Sequence, residues 1–205
     1  MKSVIQFLKI KKLVKIICII NNIVRKWSWS WPTCIKNNNM GGAIDMDIRI
    51  KANEGHYKCR VCGAVIKDDK LLVVEINHDG FNCLPGGHVQ LGESSHDALL
   101  REIGEEVGIT CTNTKLVALI ENFFDKPDRK MHELCFCYVA ETNDEMNMDD
   151  YEFIENDNGE LKSLQFRWIN LDDLPNVDFR PKVFGDKLAK RDFEFEHIIF
   201  DQRKK

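Results

Sequence analysis

Residues 87–109 read GHVQLGESSHDALLREIGEEVGI, and no other stretch constrains the fold as tightly. Gly87 is followed by Glu93, then by the adjacent Arg101 and Glu102, the aliphatic Ile103, the pair Glu105 and Glu106, and finally Gly108 and Ile109. If each of the seven fixed residue types occurs at about one position in fifteen, a chance match among about 200 starts is on the order of one in a million. The spacing also has a structural meaning. Ser94 and Asp97 form a capping-box-like start, Gly108 is a stop, and Leu99, Ile103 and Val107 recur every four residues as a buried stripe beside the small Ala98. On such a helix Glu102, Glu105 and Glu106 project from one face at neighbouring heights, so three carboxylates are expected to converge.

Like charges held together oppose the helix that carries them. A divalent cation removes the conflict, and hard oxygen donors suit Mg2+ or Mn2+, ions that also take oxygens from phosphate groups. Arg101, four residues before Glu105, is placed to orient a carboxylate, and Glu93 to hydrogen-bond at the junction of loop and helix. Gly86 and Gly87 permit close backbone approach to metal and phosphate. His88 lies beside that path and is a candidate substrate contact, although a partly exposed loop histidine is the commoner case.

These residues resemble the Nudix hydrolases, whose pattern is G-x5-E-x7-R-E-U-x-E-E-x-G-U with U aliphatic; every position is filled here. The resemblance covers residues 47–202 and implies an α+β fold, an α/β/α sandwich around a mixed, largely antiparallel sheet. It further implies that Glu102, Glu105, Glu106 and the backbone carbonyl of Gly87 hold Mg2+ or Mn2+, and that Arg101 and Glu93 support the site. The reaction implied is attack of water on a phosphorus of a nucleoside diphosphate linked to another group. Family members differ in whether the base comes from the box helix or a later loop. Glu102 is the choice by resemblance, and the later alternatives are Asp144, Glu145, Asp149, Asp150, Glu152, Glu155, Asp157 and Glu160, in a segment whose plainer reading is a solvated acidic loop with a short helix. A proline about sixteen residues beyond the box marks the ADP-ribose type, whereas Pro127 lies eighteen beyond Ile109, and the NADH-type motif is absent. Nucleotide sugars, ADP-ribose-like compounds and nucleoside triphosphates all stay open as the small-molecule substrate. A catalytically silent nucleotide-sensing module is the rival, but it normally shows broken box carboxylates.

Outside the box, alternation places a strand at residues 57–65 and another at 70–76, joined at Asp68 and Asp69 as a hairpin. Residues 115–124 and 131–141 form a second antiparallel pair around a turn at 125–129, residues 164–170 another strand, 171–175 a short turn and 180–191 a helix. Phe123, Phe124, Phe179 and Phe184 are possible base-stacking groups, though such aromatics are more often core; His132 and Glu133, set across from Glu121, are candidates for the mouth of the site. Cys59 and Cys62 are offset by three and so point to opposite faces of a strand, which argues against zinc; Cys135 and Cys137 share a face and read as small core residues.

Charge is uneven along the chain. Residues 1–44 carry eight Lys or Arg and no acid, while from Met46 onward 21 basic and 32 acidic residues give a net charge of −11. That balance argues against a nucleic-acid partner. Lys9, Lys11, Lys12 and Lys15 interrupt any signal-peptide core, and no apolar run is long enough to span a bilayer. A basic amphipathic helix on an anionic membrane, anchored by Val4, Ile5, Leu8, Ile16, Ile20, Trp27, Trp29 and Trp31, is one reading of residues 1–45, and membrane recruitment through it is a second alternative function. The preferred reading is a basic extension outside the natural protein, because Met46 begins like an ordinary start and Met40, Gly41 and Gly42 can be encoded by a ribosome-binding GGAGG stretch. The two parts are therefore residues 1–45 and a catalytic domain at 46–205. A cytoplasmic location with reduced thiols is expected, and the oligomeric state, a homodimer included, is left open.

Overall fold

Alternation of branched and small residues through GHYKCRVCGAVIK makes β2 (Gly55–Lys67) a two-faced central strand. A computed structural model describes residues 46–145, 151–157 and 160–203, and the basic extension lies outside them. Around β2 stand β1 (Arg49–Ala52), β3 (Lys70–Ile76), β4 (Thr112–Lys126), β5 (Arg129–Glu141), β6 (Tyr151–Asp157), β7 (Glu160–Asn170) and β8 (Glu196–Asp201), in the order β6-β7-β3-β2-β5-β4-β8 with β1 paired to β2. The pairs β2–β5 and β4–β8 are parallel and the others antiparallel. The helices are α1 (Ser95–Glu106) and α2 (Lys182–Ala189), the latter preceded by a 3-10 turn (Leu171–Asn176).

Each sheet face carries its own apolar cluster. Val61, Val65, Leu72 and Val74 pack against Leu99, Ile103 and Val107 of the α1 segment on one face. Leu71, Val73, Ala118 and Ile120 pack against Phe184 and Leu188 of α2 on the other. This is the expected sandwich with a mixed, largely antiparallel sheet. Gly63 sets the closeness of the first layer, since a Cβ there would lie 2.8 Å from Leu99 Cδ1.

The hairpin between β2 and β3 is real but brief. Asp68 and Asp69 turn it with φ of 50° and 62°, and only Ile66↔Leu71 and Lys67↔Lys70 are paired before the strands separate. The glycine loop fills the gap. Val74 and Cys83 exchange backbone hydrogen bonds at 2.9 Å, Gly63 N–H donates to Pro85 O at 3.0 Å, and Val61 N–H to Gly87 O at 3.0 Å. The loop thereby satisfies ladder groups that the splayed strands would otherwise leave unpaired.

Three expectations are corrected. Residues 151–157 of the acidic segment form a strand, β6, paired antiparallel with β7 rather than part of a loop with a short helix, because Tyr151 and Phe153 alternate onto the core while Glu152 and Ile154 stay outside. The C-terminal helix is shorter, Lys182–Ala189. Strands β1 and β8 were not foreseen; β8 adds a parallel edge to β4, with buried Ile198 between exposed His197 and Ile199. Truncating Ile103, which is fully buried between α1 and the sheet, is expected to cost about 2–5 kcal/mol in urea unfolding, against about 0.5–1.5 for Ile103→Val. Equal costs would place the helix interface elsewhere.

Candidate active site

The box helix begins as its sequence dictates. Ser94 Oγ accepts the Asp97 N–H at 3.1 Å and donates to the Asp97 carboxylate at 2.7 Å, while Gly108, at φ 74°, ends the helix with its N–H on Gly104 O. With Leu99 and Ile103 seated on the sheet, the opposite turn is carried to the mouth of the loop at residues 83–88.

Arg101 organises this end. Its guanidinium donates to Glu93 through Nε (2.8 Å) and Nη2 (3.0 Å), to Glu102 (2.8 Å) and Glu105 (3.2 Å) through Nη1, and to the His88 carbonyl (3.0 Å). Glu93 also accepts the Gln90 N–H at 3.0 Å, which is the junction role expected of it. The Glu102 carboxylate lies directly on Gly87, where a Cβ would stand 2.3 Å from Oε2, so a side chain at 87 would displace that carboxylate from its present position. Burial raises the pKa of Glu102 against the lowering effect of Arg101. Hydrogen bonding from Arg101 holds Glu93 below its ordinary range.

The three box glutamates do not all meet. Glu102 and Glu105 share Arg101 Nη1, but Glu106 turns to the loop, where its Oε2 accepts the Gly86 N–H at 3.0 Å. At 3.6 residues per turn, Glu105 and Glu106 diverge by about 100°. Accordingly Glu105 is 62% exposed, whereas Glu106 is buried. Among the described residues, the trio of ligand atoms within 4.8 Å of one another is Cys62, Cys135 and Cys137, not the glutamates. Arg101 thus relieves part of the repulsion that the spacing alone assigned to an ion. The donor set remains one of hard oxygens around a half-buried Glu102, which fits a divalent cation.

The other candidates fall differently. Gly86 has both backbone groups engaged, its carbonyl accepting Arg60 Nη2 at 3.0 Å, and its φ of 138° together with a Cβ position 2.3 Å from Val61 O requires glycine. The Gly87 carbonyl accepts Val61 N–H. His88 points Nδ1 to Asp47 at 3.4 Å with its side chain 14% exposed, so it braces the start of the domain rather than standing open to a ligand. His132 is packed between Phe123 (4.4 Å, stacked) and Tyr57 (5.1 Å, edge-on), while Glu121 bonds His197 and not His132. Phe179 and Phe184 are core. Of the acidic alternatives, Asp144 accepts Thr110 N–H at 2.7 Å and Glu152 accepts Ser163 Oγ–H. Asp149 and Asp150 lie outside the described residues, as do the side chains of Glu155, Asp157 and Glu160. Arg60 and Asp47 were missed, since a lone charged residue near a strand carries no signal of what the loop will bring to it.

The chain belongs to the Nudix family: the NUDIX domain model matches residues 58–188. It is 34% identical over 143 residues to the ADP-ribose pyrophosphatase of Methanocaldococcus jannaschii, covering 65% of this chain and 74% of that protein. It is 29% identical over 127 residues to the uncharacterized Nudix hydrolase YvcI of Bacillus subtilis, covering 61% and 74%. In fold it resembles the MutT protein of Bacillus halodurans, with TM-score 0.55 and 17% identity over 71% of this chain and 91% of that one. The protein is accordingly a Nudix hydrolase, a family that uses divalent cations and acts on nucleotide-derived small molecules. No helix among the described residues is long and apolar enough to cross a membrane.

Glu93→Gln, assayed by denaturant unfolding in chelator, is expected to lose about 1–3 kcal/mol at neutral pH. Because the folded Glu93 titrates below its ordinary value of 4.5, the unfolded chain binds that proton more tightly. The stabilisation is therefore complete above pH 4.5 and is lost as pH falls through the lower folded value. The difference between wild type and variant should shrink with acid in that window. A gap unchanged well into acid would contradict the ion pair.

Proposed function

We propose that the protein hydrolyses the pyrophosphate bond of a nucleoside diphosphate linked to another moiety, using Mg2+ or Mn2+ held by Glu102, Glu105 and Glu106 with the Gly87 carbonyl. The observation that carries this reading is the Arg101 fork, which fixes Glu93, Glu102 and Glu105 around one guanidinium beside a glycine loop. When bound, the cation lowers the pKa of the attacking water and neutralises charge on the bridging and leaving oxygens. Glu102 takes the proton. It is half-buried, and in the absence of a cation desolvation raises its pKa against the lowering effect of Arg101. Arg101 holds the orientation of that carboxylate, and Glu93 locks Arg101 to the loop through Gln90. The Gly86 N–H keeps Glu106 in place.

For the group beyond the diphosphate, ADP-ribose is the first compound to try, supported by the relative from Methanocaldococcus jannaschii that carries that activity in its name. Nucleotide sugars, dinucleotides and nucleoside triphosphates complete a screen with Mg2+ and Mn2+, read by product masses. Glu105 is the cleanest residue to change, because its exposure separates the chemistry from the fold. Glu105→Gln is expected to leave thermal unfolding close to wild type and to lower kcat by about two orders of magnitude or more, since a charged ligand is worth several kcal/mol in such a site. A wild-type rate in this variant, or no turnover of any pyrophosphate by the metal-loaded wild type, would overturn the assignment.

A further inference from the structure

The sheet face opposite α1 carries a second cluster of ligand atoms that hydrolysis does not use. Parallel pairing of β2 with β5 sets Cys62 beside Cys137 and Arg60 beside Cys135. The three sulfurs form a closed triangle, with Sγ separations of 3.4 Å (Cys62–Cys137), 3.7 Å (Cys62–Cys135) and 3.9 Å (Cys135–Cys137). Cys137 is 1% exposed and the other two are partly buried. A tetrahedral centre with metal–sulfur bonds of about 2.3 Å needs sulfurs about 3.8 Å apart, so this triangle already has the edge lengths of three corners.

Charge compensation is built in as well. Arg60 has its Nη2 on the Gly86 carbonyl, while its Nε is shielded from solvent and has no hydrogen-bond partner among the described residues. Burial opposes its charge, but Glu133 and then Cys135, Cys83 and Cys62 hold it protonated. Three thiolates and one divalent ion carry one net negative charge, which the adjacent Arg60 guanidinium opposes, whereas a monovalent ion would leave two.

We propose that Cys62, Cys135 and Cys137 form a thiolate site for a single Zn2+ ion, with water in the fourth position and Arg60 as the neutralising cation. Binding releases the thiol protons to solvent and requires no redox step. The site is independent of the carboxylate assignment: it lies on the other sheet face, uses soft donors, and holds an ion whether or not the protein turns over a pyrophosphate.

The test uses the full chain, reduced and metal-free, titrated with Co2+ in excess Mg2+ so that the oxygen donors are occupied by a hard ion. A thiolate-to-Co2+ charge-transfer band that saturates at a single ion per chain, bleaches on adding Zn2+, persists in Glu105→Gln and disappears in both Cys135→Ser and Cys137→Ser is the expected result. Co2+ absorption without charge transfer, or a band that survives both cysteine substitutions, overturns the site. Should the serine variants fail to fold, alkylation of the wild type resolved peptide by peptide decides. At Zn2+ about a hundred times its Kd, Cys62, Cys135 and Cys137 should react on the order of a hundredfold more slowly, with Cys111 unaffected. Equal rates with and without Zn2+ reject the proposal.

Discussion

One guanidinium decides the geometry of the catalytic end. Arg101 is the meeting point of Glu93, Glu102, Glu105 and the His88 carbonyl, each within 3.2 Å of it. A lysine could not do this, because an ammonium offers no planar fork that pairs with one carboxylate in bidentate fashion while reaching two others. The bonds are charge-assisted and only partly solvated, with Arg101 at 23% and Glu102 at 12% side-chain exposure, so they exceed ordinary surface pairs in strength. Loop and helix are consequently one unit. Glu93 and the His88 carbonyl belong to the loop and its exit, whereas Glu102 and Glu105 belong to the helix, and neither side can shift without breaking several bonds at once.

That unit can form only because the backbone comes close at two glycines. Gly63 admits Leu99 and Ile103 to the sheet, and Gly87 admits the Glu102 carboxylate to the loop. The two contacts lie on the same helix, one turn apart, so the apolar seating of α1 and the placement of its acidic end are not separable. Burial of Leu99 and Ile103 supplies the energy, and the glycines supply the room.

Much of this was legible in the sequence, and for physical reasons. The box helix, its Ser94 cap, its Gly108 stop and its buried stripe depend on contacts within one or two turns, which spacing reports directly. The pairing of Arg101 with Glu105 was legible for the same reason, whereas its fork onto Glu93, eight residues away, was not. Non-local pairing was not. Nothing near Glu93 announces that the glycine loop will wedge between β2 and β3, and the offset of Cys59 and Cys62 correctly puts them on opposite faces yet says nothing of Cys135 and Cys137, more than seventy residues away. The strand β6 was misread because the charges around it are conspicuous and its two partly buried aromatics, Tyr151 and Phe153, are sparse. Convergence of the three box glutamates was overread by treating them as one point, when the helix spreads them over a wide arc and turns Glu106 to the Gly86 N–H while Glu102 and Glu105 share Arg101.

The two faces of the sheet also differ in chemistry, and they meet at a single peptide. Gly86 gives its N–H to Glu106 on the α1 side and takes Arg60 through its carbonyl on the other. Its φ of 138° and its contact with Val61 O leave it no alternative conformation with a side chain present. Oxygen donors are thus gathered on one side of this residue and sulfur donors on the other. Hard cations prefer the first donor type and soft cations the second, so the two proposed sites would stand on opposite sides of this loop and differ in ligand type. Each side has its own guanidinium: Arg101 pairs with the carboxylates, and Arg60 stands beside Cys135 in the register of β2 with β5.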